Sequence, residues 1–136
     1  MSEPRTDIQP ELWVSDGRAA VAFYEHALGA VVEHRVIGPA VSDVIAQLSV
    51  AGARFWVSNA SEDLGRFSPH AIAGGTARML LVVDDPELVV ADAVAAGATA
   101  TSPVGEEHGW RLGRFTDPFG HEWEVGRPLI DWPPAD

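Results

Sequence analysis

The chain has 136 residues, a formal charge of −11 and no cysteine. That length suits one domain able to bury roughly two thirds of its unfolded surface, and the missing thiols exclude a disulfide framework and any thiolate metal site. The acidic balance repels phosphate backbones and anionic lipid, which argues against nucleic acid and membrane partners. The longest apolar run, Met79 to Val83, is too short to span a bilayer, and the N-terminus is polar, so a cytoplasmic protein is expected.

In chain order, Leu12-Trp13-Val14 reads as a short strand that ends at Ser15-Asp16, where an oxygen side chain caps a helix. Ala20, Phe23, Tyr24, Ala27 and Leu28 follow at helical spacing, and Gly29 stands where a left-handed terminal residue is wanted. Ala30 to Val36 and Val44 to Val50 read as strands, with Ala51-Gly52 turning into a third over Arg54 to Ser58. The stretch 60–76 is rich in Gly, Ser and Pro without periodicity and reads as a linker. Beyond it come a strand from about Ala77, a cap at Asp84 or Asp85, Pro86 near the first helical position, and a stripe of Val90, Ala93 and Val94 ending at Gly97. Leu112 to Thr116 and His121 to Val125 form a hairpin through Asp117-Pro118-Phe119-Gly120, a type I turn sequence. A proline-rich surface arm, 127–136, closes the chain.

The chain says the same thing twice. Asp16, Gly29, Ala30, Gly52 and Val57 are matched about 68 residues later by Asp84, Gly97, Ala98, Gly120 and Val125. One domain, 1–136, is therefore built from two copies of strand, helix and three strands, over about 8–59 and about 77–126. The fold class is α+β, with pseudo-two-fold symmetry and curved mixed sheets that form a cleft between the copies.

Alternation along strands selects the cleft residues, because residues two apart share a face. Phe55, Val57, Trp123 and Val125 belong under the helices, which leaves Arg54, Trp56, Ser58, Glu122 and Glu124 on the opposite, concave face. The same rule directs Gln9, Glu11 and Trp13, and Arg78, Leu80 and Val82, into the concavity. Trp110, next to Arg111, is placed at its rim. Trp13 and Trp56 give it aromatic walls suited to a planar or hydrophobic ligand, or else to a dimer interface. The histidines, His26, His34, His70, His108 and His121, are scattered without local metal-ligand spacing and read as surface or hydrogen-bonded structural groups.

Two β-α-β-β-β copies, the segment AFYEHALGA and the segment GRFTDPFGHEWEV together resemble the vicinal oxygen chelate superfamily of glyoxalases, bleomycin and fosfomycin resistance proteins and extradiol dioxygenases. Within it the chain is most similar to small bacterial PhnB-like proteins. The resemblance implies a divalent metal held by one residue from each of four strands, and those places fall on Gln9, Trp56, Arg78 and Glu124. Gln9 and Glu124 are oxygen donors, whereas an indole and a guanidinium offer no lone pair. No metal is therefore favoured; if Ni, Zn, Mn or Fe binds, Gln9 and Glu124 hold it. Arg78 stands where a metal's charge would be and is expected to pair with Glu124.

Three readings follow. In the first, a homodimer binds a small hydrophobic or cationic molecule in an aromatic cleft without metal. In the second, a metal-dependent glyoxalase-like lyase or isomerase uses Glu124 as its catalytic proton carrier. In the third, the protein is a non-catalytic structural or regulatory dimer whose cleft is filled by Trp13 and Trp56.

Overall fold

The computed structural model describes residues 5–37 and 44–131; the end of the expected arm, 132–136, lies outside them. The first copy comprises β1 (Glu11–Val14), α1 (Gly17–Leu28), β2 (Val31–Ile37), β3 (Val44–Val50) and β4 (Ala53–Asn59). The second comprises β5 (Arg78–Val82), α3 (Pro86–Ala95), β6 (Thr99–Glu107), β7 (Trp110–Thr116) and β8 (Glu122–Pro128). Each forms a four-stranded mixed sheet, in the orders β1-β4-β3-β2 and β5-β8-β7-β6. The first strand of each copy joins its last in parallel, and the other pairings are antiparallel. The architecture is the expected α+β pair of similar modules. No helix among the described residues is long and apolar enough to cross a membrane.

Local chemistry sets the helix ends. Asp16 accepts from the Ala19 amide at 3.1 Å, Asp85 accepts from the Leu88 amide at 3.1 Å, and Gly29 closes α1 in the left-handed region at φ 66°. The second cap is thus Asp85, and the repeat is not uniform. Glu11 lies beside Trp56 as Leu80 lies beside Glu124, so β1 and β5 are related by 69 residues while β4 and β8 are related by 68. The stretch from cap to terminal glycine is one residue shorter in the second copy.

Two segments carry more structure than their composition suggests. The linker contains a 3-10 turn, Glu62–Leu64, and a short helix α2, Pro69–Ile72, capped by Ser68. Pro69 is buried against the β7–β8 turn, where a Cβ on Gly120 would lie 2.8 Å from the proline ring; its φ of 90° also calls for glycine. At the other end, β8 runs through Arg127 and Pro128, which lie opposite Arg111 and Trp110. The first residues of the expected arm are therefore part of the sheet, because β7 begins at Trp110 and gives them a partner.

The core lies where the helix-bearing faces of both sheets meet. Helix α1 packs on β3 and β4, α3 packs on β6, β7 and β8, and the two helices touch. Phe55 and Trp123 approach with ring centroids 5.6 Å apart, and Tyr24 meets them at 5.3 and 5.6 Å. At the centre is Asp117, only 3% exposed. Its Oδ2 accepts from the Tyr24 hydroxyl and, at 3.0 Å, from Trp123 Nε1. Its Oδ1 accepts from the amides of Phe119 and His121 at 2.9 and 3.0 Å. A buried carboxylate that accepts from four donors ties α1 of one copy to the β7–β8 turn of the other.

Burial, then the charge of Asp117 and its hydrogen bond, push the Tyr24 hydroxyl well above 10. A folded value raised above the unfolded one gives stability that is complete below about pH 10 and is lost as pH rises through the folded value. Tyr24 is the only tyrosine and the chain has no lysine, so this alkaline limb belongs to one group. Urea unfolding should show Tyr24→Phe about 2 kcal/mol less stable and Asp117→Ala about 4 kcal/mol less stable. The wild-type decline above about pH 10 should be absent in Tyr24→Phe, and phenolate absorbance in the wild type should appear only with unfolding.

Candidate functional site

On the first sheet, the face opposite the helix carries an ordered polar group. Gln9, just before β1, accepts at Oε1 from Trp56 Nε1 and from Gln47 Nε2, both at 2.8 Å. Its own Nε2 donates to Asp7 Oδ2 at 2.9 Å. That bond, followed by one from the Ile8 amide, lowers the pKa of the exposed Asp7 carboxyl below its usual value. Both lone pairs of the Gln9 oxygen are used. The half-buried Trp56 ring also stands edge-on to His34 at 6.4 Å. Trp13 is half-buried on the same face with Ser58, and Glu11 is exposed. The Trp13 carbonyl accepts from His121 Nε2 at 2.8 Å, which joins β1 to the start of β8.

The corresponding face of the second sheet is built around Glu124. Its Oε2 accepts from Arg114 Nε at 2.8 Å and lies 3.5 Å from Arg78 Nη2. Arg114 also reaches Glu107 at 3.4 Å. The hydrogen bond to Glu124 raises the Arg114 pKa further, so the guanidinium is permanently charged. Leu80 and Val82 lie on this face 50% and 55% exposed, Glu122 is exposed at the start of β8, and Trp110 is half-buried at the start of β7.

The two groups do not join within one chain. Among the described residues, no hydrogen bond or ion pair links Gln9, Trp13 or Trp56 to Arg78, Arg114 or Glu124. The side chains that do meet between the sheets, Phe55 and Trp123, belong to the helix-bearing faces, so the polar faces turn away from a shared core. Arg54 and Arg78 are the exception. At the strand starts both border a slot of about 340 Å³ walled by Phe55, Met79, Leu81 and Trp123.

Reading residues singly missed Gln47, Arg114, His34 and Asp7. Hairpin register would have found the first two. The Ala51-Gly52 turn pairs Val50 with Ala53 and so Gln47 with Trp56; the Asp117–Gly120 turn pairs Thr116 with Glu122 and so Arg114 with Glu124. His34 lies beyond an irregularity between Val32 and His34 that alternation cannot anticipate.

A divalent ion of the kind the superfamily holds does not fit these residues. Of the four equivalent places, Trp56 and Arg78 have no lone pair, the Gln9 oxygen already accepts twice, and Glu124 is engaged by two guanidinium groups. No cluster of three or more His, Asp or Glu suited to a metal occurs among the described residues.

Two parallel-paired β-α-β-β-β copies are the architecture of a known family, and the family profile described as a glyoxalase-like domain matches residues 11–126. The chain belongs to this family. The glyoxalase-like domain places it in the vicinal oxygen chelate superfamily. An uncharacterized protein of Mycobacterium bovis is 31% identical over 126 residues, covering 90% of this chain and 83% of its own. A solved gene product of Arabidopsis thaliana is 30% identical with a TM-score of 0.68, over 91% of this chain and all (100%) of the other. TnmS3, an antibiotic binding protein from Streptomyces sp. CB03234, is 22% identical with a TM-score of 0.66 over 93% and 99% of the two chains, a likeness of fold.

If donor chemistry governs metal binding in this glyoxalase-like domain, calorimetry of chelator-treated protein with Ni²⁺ should show no stoichiometric binding. The Trp56→His, Arg78→His double variant, which supplies one nitrogen donor beside Gln9 and one beside Glu124, should gain it where two chains bring those faces together. Tight binding by the wild type that is lost in Glu124→Ala would contradict the assignment.

Proposed function

We propose that this glyoxalase-like domain is a cytoplasmic small-molecule binding protein of bleomycin-resistance type that holds a hydrophobic or cationic molecule against Trp13 and Trp56, without a metal. The observation that carries the reading is the fixed indole of Trp56: its N–H is held by Gln9 while its ring, of the kind that stacks on planar ligands, remains only half-buried. The exposed Glu11 carboxylate lies beside it in the sheet register and suits a cation. Antibiotic binding by TnmS3 is a use of this fold in keeping with such a role.

The lyase alternative requires Gln9 and Glu124 to be free to ligate or to move protons, and both are already engaged by neighbouring donors. A vestigial cleft filled by its own tryptophans would leave Trp13 and Trp56 buried, and both are half-exposed.

The binding cleft in this proposal is completed by a second copy of the chain. Leu80 and Val82 on one sheet, and Val36 and Ile45 on the other, are about half exposed on the polar faces, and β1 and β5 each leave an outer edge unpaired. Exposed apolar side chains beside open strand edges favour association. Bringing the first sheet of one copy against the second sheet of its partner would cover them and set Trp56 opposite Glu124.

Sedimentation equilibrium should therefore give a dimer, and Leu80→Lys with Val82→Lys a monomer that still folds. With ethidium as a planar cationic probe, fluorescence titration should show saturable binding weakened about tenfold by Trp56→Ala. Binding indifferent to Trp56→Ala and Trp13→Ala would contradict the proposal.

A further inference from the structure

Every permanently charged basic side chain in this protein is an arginine, since the sequence contains no lysine. Most of those near the sheets already have acidic partners: Arg111 pairs with Glu87 on α3, and Arg114 pairs with Glu124 and Glu107. Arg54 differs. It is exposed at the start of β4 and makes no ion pair or side-chain hydrogen bond among the described residues, and its charge reaches the exposed Asp7 carboxyl only as a weak electrostatic effect. Arg78 is only loosely held. Its side chain is 44% exposed, and its guanidinium lies 3.5 Å from a Glu124 oxygen that already accepts from Arg114 at 2.8 Å, beyond the length of a good hydrogen bond.

Both residues border one opening. They border the slot of about 340 Å³ between the sheets, whose walls are Phe55, Met79, Leu81 and Trp123. The volume falls within the range of small-ligand pockets. In a protein of formal charge −11, an anion is repelled everywhere except where positive charge is locally concentrated. An apolar slot bordered by two arginines matches a molecule with one anionic end and one apolar end.

We propose that this slot binds an amphipathic carboxylate, its acyl or aryl tail between the sheets and its carboxylate between Arg54 and Arg78. Shape supplies the tail's affinity and the arginines supply the selection of an acid over its neutral counterpart. The slot opens at the strand starts and is lined in the core by residues of the helix-bearing faces, so this inference stands independently of ligand binding against Trp56. A carboxylate between the two groups would also draw Arg78 away from Glu124, leaving Arg114 as that carboxylate's partner.

Isothermal titration with octanoate and with 1-octanol, using the wild-type protein, tests the proposal. Octanoate should bind at one molecule per chain, about tenfold more tightly than 1-octanol, and more weakly as ionic strength rises. Arg54→Gln and Arg78→Gln should each weaken octanoate about tenfold while leaving 1-octanol unchanged. Arg66→Gln, which removes an exposed arginine of the linker, should change neither. Both slot arginines are on the surface, so thermal melts of the variants should match the wild type. Failure of octanoate to bind, equal affinity for acid and alcohol, or an octanoate affinity indifferent to both slot substitutions would overturn the proposal.

Discussion

Asp117 is a carboxylate removed from water that accepts from the Tyr24 hydroxyl, the Trp123 indole and two amides of its own turn. A charge in that position is tolerated because its acceptor sites are filled. The same bonds fix which parts of the molecule touch: helix α1 of the first copy, the β7–β8 turn of the second, and the aromatic rings of Phe55 and Trp123 between them. Nearby contacts converge on this turn. His70 Nε2 donates to the Pro118 carbonyl at 2.8 Å and His121 Nε2 donates to the Trp13 carbonyl at 2.8 Å, so the linker and β1 are held to the turn as well.

The polar faces follow from that constraint. With the helix-bearing faces turned toward one core, Gln9, Gln47 and Trp56 form one closed hydrogen-bonded group, and Arg78, Arg114, Glu107 and Glu124 form another. In the vicinal oxygen chelate superfamily the corresponding strand positions supply metal ligands, and here they are taken by groups that satisfy one another. At those positions in this chain the side chains make hydrogen bonds and ion pairs with one another, on a fold that serves more than one chemistry.

The fold was legible in the sequence because its signals are local and repeated. Two aspartate caps, two terminal glycines and two tight hairpin turns fall in the same order in both copies, and alternation assigned Phe55, Val57, Trp123 and Val125 to the core. The site was less legible for three physical reasons. Cross-strand partners such as Gln47 and Arg114 are fixed by hairpin register, which residue-by-residue reading does not carry. The change from 68 to 69 residues between copies makes Asp85 the cap, a choice that a uniform offset hides. Packing of one sheet against the other depends on long-range contacts such as Tyr24 with Asp117, 93 residues apart, and these decide whether two concave faces meet in one chain.

Whether the two polar faces meet within one chain has a direct measurement. The chain contains no cysteine, so Trp56→Cys and Glu124→Cys report on their own positions alone. Treated with a short bismaleimide, the double variant should give a covalently linked dimer and no link within a chain. An equal mixture of the two single variants should give the same cross-linked dimer. An intrachain link that leaves the protein a monomer would place both faces around one cleft in a single chain and contradict the arrangement set by Asp117.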